Sequence, residues 1–423
     1  MKTNIIIQGD SIEELKKLPD NSIDAIITDP PYELGFMGKK WDYSGISFNI
    51  NLWKECLRVL KSGGFLLSFG GTRTYHRLVC GIEDAGFEIR DMIMWLYGSG
   101  FPKSLNVGKQ VDKIQGNKRE SKGIVKGMGT RPNILEFADR PIKNKFELTE
   151  GNSEWEGWGT ALKPACEPIV VARKPLSEKN VALNVLKWGT GGINIDACRI
   201  KHNEKVKETN RKERQSKTWK EGSGFKNEQV TLASANPQGR FPANIILDEE
   251  AGKMLDIQSG ITLSKGGQSY SKTSKIYGKY ANDRTTKGCG FGDKGGASRF
   301  FYCPKASKSE RNLGCEDFEP KLRANANKIM GDAGNFKTGS GNLRNSLLKN
   351  NHPTVKPIAL MEYLIKLVTR EGAIVLDPFI GSGTTAIACL KLGRKYIGIE
   401  KEKEYINIAK ARIKPFSIQK KLK

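Results

Sequence analysis

Histidine is almost missing, at three in 423 residues, and the eight cysteines form no Cys-x-x-Cys pair. These shortages leave neither a zinc site of Cys/His spacing nor a histidine charge relay as the source of any chemistry. The cysteines, at 56, 80, 166, 198, 289, 303, 315 and 389, are scattered mostly through apolar segments, and most read as reduced core residues. Long apolar runs are lacking as well: Ile5 to Ile7 stops at Gln8-Gly9-Asp10, far short of a membrane helix or a signal-peptide core. A soluble, cytoplasmic protein with no membrane partner is expected. Acidic side chains are in deficit, 46 against 70 Lys plus Arg, for a formal charge of +24. Such an excess costs self-repulsion in a compact chain and argues for a polyanionic partner, with nucleic acid the default.

The length suits two or three domains with a substantial core. Charge is unevenly spread: residues 1–100 are net −2, 101–345 net +17 and 346–423 net +9. Residues 201–220 carry eight Lys/Arg against three Glu, while 261–300 are rich in Gly, Ser and Lys with Tyr270, Tyr277 and Tyr280 interleaved. The middle therefore reads as an inserted, loop-rich recognition region, mobile without its partner.

Both ends alternate strand and helix signals. Asn4 to Gln8 is a strand, and Ser11-Ile12-Glu13-Glu14 opens a helix as a capping box. Strands follow at Ile23 to Thr28, Phe65 to Phe69 and Phe87 to Trp95, with helices at Leu52 to Leu60 and Tyr75 to Ala85. Near the other end, helices at Pro357 to Val368, Thr384 to Leu392 and Glu402 to Ile413 alternate with strands at Ala373 to Asp377 and Lys395 to Glu400. Continuous apolar strands alternating with helices predict an α/β fold whose mostly parallel sheet is covered on both faces. Neither end has enough strands alone, so one sheet assembled from both ends is expected, completed by extended pieces at Cys166 to Arg173 and Arg299 to Tyr302.

Two motifs lie at strand ends. Gly381-Ser382-Gly383-Thr384-Thr385-Ala386 fits G-x-G-x-x-G/A between a strand and a helix, and Glu400 stands 19 residues on, where an acid could hold ribose hydroxyls. Asp29-Pro30-Pro31-Tyr32 closes the second strand; alone it reads as an ordinary turn. Open α/β sheets bind ligands at the carboxyl ends of their strands, which brings both motifs to one pocket.

In these residues the chain resembles the S-adenosylmethionine-dependent amino-methyltransferases of DNA, in the circularly permuted beta class. Asp29-Pro30-Pro31-Tyr32 resembles their catalytic motif, Asp377-Pro378-Phe379-Ile380-Gly381-Ser382-Gly383-Thr384 their cofactor motif, and His352-Pro353-Thr354-Val355-Lys356-Pro357 the motif preceding the cofactor strand. Gly9-Asp10 matches the family's acidic contact to the cofactor adenine. The resemblance implies a Rossmann-like, circularly permuted methyltransferase sheet. Residues 1–175 would form its catalytic half, 176–350 the target-recognition region with 299–315 returning to the sheet, and 351–423 the cofactor half. It implies S-adenosylmethionine as cofactor and no metal. Asp10, His352, Thr354, Lys356, Asp377, Phe379, Gly381, Gly383, Thr384 and Glu400 would be cofactor-binding. Double-stranded DNA is the implied partner, and a homodimer and a cognate restriction enzyme are compatible with it.

The chemistry accounts for the residue types. An exocyclic amine is a poor nucleophile because its lone pair is delocalised into the ring. The Asp29 carboxylate and the Pro30 carbonyl can each accept one amino hydrogen, Pro31 stiffens the turn, and Tyr32 can stack on an extruded base. Asp in the first motif position resembles adenine-N6 enzymes; cytosine N4 is the runner-up and an RNA methyltransferase a closer rival than any dehydrogenase. Carbon-5 methylation of cytosine would need a Pro-Cys nucleophile motif, and none occurs. Trp95 and Glu167 resemble supports of the target-base pocket, Trp95 reading equally well as core. His352 either touches the cofactor or caps the following helix.

Overall fold

The computed structural model describes residues 1–34, 40–98, 100, 104–126, 145–201, 238–263, 293–304, 310–319 and 347–419, with short pieces at 268–269, 286–287, 321–322, 335–337 and 343–345. Its centre is an eight-stranded sheet. In chain order the strands are β1 (Ile5–Gln8), β2 (Ile23–Thr28), β3 (Leu60–Phe69), β4 (Glu88–Leu96), β5 (Cys166–Arg173), β6 (Ile245–Leu247), β7 (Ile374–Asp377) and β8 (Lys395–Glu400). In space they run β1-β8-β7-β2-β3-β5-β4-β6. All neighbours pair in parallel except at β5, which is antiparallel to both β3 and β4. The first strand lies beside the last, with Gln8 opposite Glu400, so the sheet is assembled from both chain ends as the sequence predicts.

The helices α1 (Ser11–Leu15), α2 (Ile50–Val59), α3 (Tyr75–Asp84), α4 (Ile358–Val368), α5 (Thr384–Lys391) and α6 (Lys403–Gln419) accompany these strands. Ile26, Leu66, Leu376 and Ile397 form one cluster with Leu52 and Trp53 of α2 and Leu78 and Ile82 of α3. The alternate positions Ala25, Ile27, Leu67 and Val375 are equally buried, because successive strand residues face opposite sides and both sides are covered.

Several expectations are corrected. Asp10, not Ser11, caps α1: its Oδ1 accepts from Ile12 N at 3.0 Å, and Ser11 Oγ instead donates to Pro378 O at 2.7 Å. Strand β3 begins at Leu60 and carries Gly63 in a left-handed turn (φ +77°), beside the register shift against β2. Arg299 to Tyr302 supplies no strand to the central sheet; Ala297–Phe300 is a short 3-10 turn. The middle contributes Ile245–Leu247 instead, which the sequence did not reveal. The tract 202–220 and Tyr270, Tyr277 and Tyr280 lie outside the described residues.

The chain divides into two compact units, one of residues 1–194, 244–251 and 304–423, the other of 195–243 and 252–303. The first contains the whole central sheet. In the second, Asp293 is paired with Arg240 at 2.5 Å and Arg299 at 3.3 Å, and both guanidinium groups lie over the Phe300 ring.

Candidate active site

The sheet brings Asp29 and the glycine turn together at the carboxyl ends of adjacent parallel strands. Ile26 lies opposite Leu376, so Asp29 and Phe379 stand three residues beyond paired positions. Thr28 Oγ1 donates to Asp377 Oδ1 at 2.7 Å across the seam. Asp377 also accepts from Thr385 Oγ1 at 2.6 Å and from Phe379 N at 3.1 Å. Burial pushes its carboxyl up to about 6 despite these donors.

Around the turn, Gly381 and Gly383 are left-handed, at φ +50° and +83°. A Cβ at Gly381 would stand 2.6 Å from His352 Nε2, so only glycine lets the backbone sit this close to the imidazole. His352 Nδ1 contacts Thr354 O at 2.6 Å, and its ring meets Tyr405 edge-on at 4.5 Å. Burial lowers His352 to about 4, leaving it neutral. It does not cap α4, which starts after Pro357. Glu400 Oε2 accepts from Gly381 N at 3.0 Å, its carboxyl raised by burial, and the exposed Asp10 stands beyond the neighbouring strand β1. A glycine turn flanked by acids at two adjacent strand ends fits a nucleoside-bearing cofactor.

The second focus is a hydrogen-bonded ring. Asp29 Oδ2 accepts from Lys356 Nζ at 2.6 Å, and the Tyr32 hydroxyl lies 2.9 Å from both Asp29 Oδ1 and Glu167 Oε2. Lys356 Nζ is also 3.2 Å from Glu167 Oε2 and from the Tyr32 oxygen. Burial alone would lower the Lys356 ammonium, but the Asp29 and Glu167 carboxylates outweigh it and hold it above its ordinary value. Burial, reinforced by Asp29 and Glu167, drives the Tyr32 phenol well above its usual range. Pro30 is buried and Pro31 half-buried, and Tyr32 O accepts from Thr74 Oγ1 at 2.7 Å, so the turn is held at both ends.

The DNA methylase family of N6- and N4-methyltransferases matches the chain over residues 23–411. The chain belongs to the DNA methylase family. S-adenosylmethionine is the cofactor of this family and of this chain. Among similar proteins, the type II methyltransferase M2.LlaDCHI of Lactococcus lactis subsp. cremoris is 47% identical over 76 residues, 18% of this chain and 28% of that protein. M2.DpnII of Streptococcus pneumoniae is matched over the same 28% of its length, so the chain aligns with under a third of either. The type II methyltransferase M.HindIII of Haemophilus influenzae is 23% identical over 96% of this chain and 94% of that one. The solved PvuII DNA methyltransferase, a cytosine-N4-specific enzyme, is 14% identical over 97% of this chain and 86% of its own, at a TM-score of 0.40.

Within this site, Lys356 lies on Asp29, although its motif groups it with the cofactor residues. Thr384 is turned inward, where its Oγ1 accepts from Arg412 Nη1 at 3.1 Å. Sequence reasoning missed Arg412 altogether. Fully buried on α6, it also donates to Ser382 O at 2.6 Å and Ser382 Oγ at 2.9 Å, and burial lowers it to about 10. It braces the glycine turn from behind. Trp95 pairs with Glu167 across β4 and β5 and packs on Tyr97, with ring centroids 5.6 Å apart.

Proposed function

We propose that the protein is a site-specific DNA methyltransferase that moves a methyl group from S-adenosylmethionine to the exocyclic N6 of adenine in duplex DNA, after the base has left the helix. The observation that carries this reading is the meeting of two strand ends, Asp29 after β2 and Phe379 to Gly381 after β7, tied by the Thr28 to Asp377 hydrogen bond of 2.7 Å. Asp10 would hold the cofactor adenine, Glu400 the ribose, and Phe379 and Gly381 the methionine end, with His352, Thr354 and Gly383 shaping the wall. When bound, the cofactor supplies a methyl group on a positively charged sulfur. Asp29 and the Pro30 carbonyl each accept one amino hydrogen, which draws the nitrogen toward a tetrahedral geometry and exposes its lone pair. Pro30 and Pro31 keep that carbonyl aimed, and the Tyr32 ring offers a face to the extruded base. Asp rather than Ser at the head of the motif favours adenine over cytosine N4.

Methylome sequencing of DNA from cells expressing the protein tests this directly. N6-methyladenine at one recurrent sequence is expected. N4-methylcytosine would replace the base assignment, and modification confined to RNA would overturn the DNA reading. DNA affinity should fall with salt at a log-log slope of about −0.9 per phosphate neutralised. Charge reversal of Lys212, Arg214 and Lys217 should weaken binding to every duplex without changing the modified base.

A further inference from the structure

Lys356 sits at the reacting end of the site. Its side chain is 8% exposed, and its three short polar contacts run to Asp29 Oδ2 at 2.6 Å, Glu167 Oε2 at 3.2 Å and the Tyr32 oxygen at 3.2 Å. An ammonium has three N–H donors and no acceptor, so these contacts use all of it. The rings of Tyr32 and Phe69 flank it with centroids 5.4 and 4.8 Å away, a further favourable setting for a cation. The cation is also needed. Tyr32 has one hydroxyl hydrogen but lies 2.9 Å from both Asp29 Oδ1 and Glu167 Oε2, so it serves one carboxylate at a time. Lys356 supplies a donor to each carboxylate, to Asp29 at Oδ2 and to Glu167 at Oε2, so that with the Tyr32 hydrogen on Oδ1 Asp29 is gripped at both oxygens while keeping lone pairs for a further donor.

We infer that Lys356 is a positioning residue for Asp29: an ammonium brought from the cofactor half of the chain that, with Glu167 as its counter-carboxylate, fixes the Asp29 carboxylate where the target amine is met. It acts on turnover rather than on cofactor affinity. Glu167, on β5, serves the same task through Lys356. The inference rests on the methyltransferase reading above and adds a condition to it, since Asp29 is aimed only once both ends of the chain are joined.

The test uses the full chain, measuring methyl transfer to duplex DNA beside calorimetry of S-adenosylmethionine binding. Lys356→Met should lower kcat about 100-fold, the scale of loss from a misplacement of about 1 Å, and leave the cofactor Kd within about twofold. Lys356→Arg, which keeps the cation, should recover most of that loss. Adding Glu167→Gln to Lys356→Met should cost little more, because a residue acting through the lysine has no separate effect to lose. A cofactor Kd raised tenfold at unchanged kcat would overturn the inference, as would additive losses in the double variant. Should Lys356→Met not fold, Glu167→Gln alone decides: kcat falls with cofactor affinity kept, or the inference fails. Wild-type protein that moves no methyl group overturns the methyltransferase reading and the inference with it. Wild-type activity with unchanged variants overturns the inference alone.

Discussion

Asp29-Pro30 at the end of β2 and Asp377-Pro378 at the end of β7 are the same dipeptide on neighbouring parallel strands, yet their carboxylates meet different partners. Asp377 is buried and accepts from two threonine hydroxyls and a backbone amide, all neutral donors within the seam. Asp29 is partly open and is held by an ammonium and a phenol. The dipeptide marks a strand end in both cases; what surrounds it decides whether the carboxylate braces the fold or faces a substrate. A carboxylate with its acceptor sites filled by fixed neutral donors has little left for a ligand. One on the rim, gripped from behind, keeps its outer lone pairs.

The comparison breaks most visibly in activity. Asp29→Ala should reduce methyl transfer by about 1,000-fold or more and leave S-adenosylmethionine binding nearly intact, since Asp29 is assigned to the target amine. A radiolabel transfer assay beside calorimetry checks it, and retained transfer would remove the assignment. Asp377 should fail differently, through stability. Its folded carboxyl stands near 6 against an ordinary 3.8, raised by burial. For a raised acid the contribution to stability is complete below about 3.8 and is lost as pH climbs through 6, amounting to about 3 kcal/mol over that window. The stability difference between wild type and Asp377→Asn should therefore grow as pH falls from 7 toward 4, as read by urea denaturation at several pH values. A flat difference would show that the raised carboxyl is not felt by the fold.

A smaller effect separates the two strand ends again. Gly381→Ala places a Cβ at φ +50°, 2.6 Å from His352 Nε2, so the turn must shift. Cofactor affinity should fall about tenfold, the strain of a left-handed non-glycine residue amounting to about 1 to 2 kcal/mol. Turnover at saturating cofactor should change far less, as the Asp29 ring is untouched. Equal losses in both parameters would merge the two ends into one unit.

The features legible in the sequence are local and periodic. Apolar runs broken by helical spacing gave the sheet, and the strand–turn–helix context of Gly381 located the cofactor turn. Features set by direction or by length were not legible. Ile245–Leu247 is three residues long and, among the described residues, pairs with β4 alone at the sheet edge, too short for any alternation to register. Asp10 and Ser11 are both good caps, so the choice between them depended on the seat for Ser11 at Pro378, a contact 367 residues away. Arg412 reads as one more charge on a basic helix until the fold turns it inward onto Ser382 and Thr384. Lys356 follows a cofactor-type motif in sequence, but its flexible stem reaches the other focus of the site.

The mildest expected lesion is Ser11→Ala. Ser11 Oγ, buried at the start of α1, donates to the Pro378 carbonyl at 2.7 Å and so ties the first helix to the turn after β7. Loss of one neutral hydrogen bond costs about 1 kcal/mol. Because this contact serves the Asp377 side of the pair, the loss should appear in denaturant midpoint with transfer rate unchanged. The neighbouring Asp10→Ala supplies the contrast. It removes the cap on α1, at a similar cost of about 1 kcal/mol, and if Asp10 also meets the cofactor it should weaken S-adenosylmethionine binding as well. Two adjacent substitutions of equal effect on stability but different effect on cofactor affinity would separate bracing from binding at the β1 end, whereas matched effects on both would leave Asp10 as a cap alone.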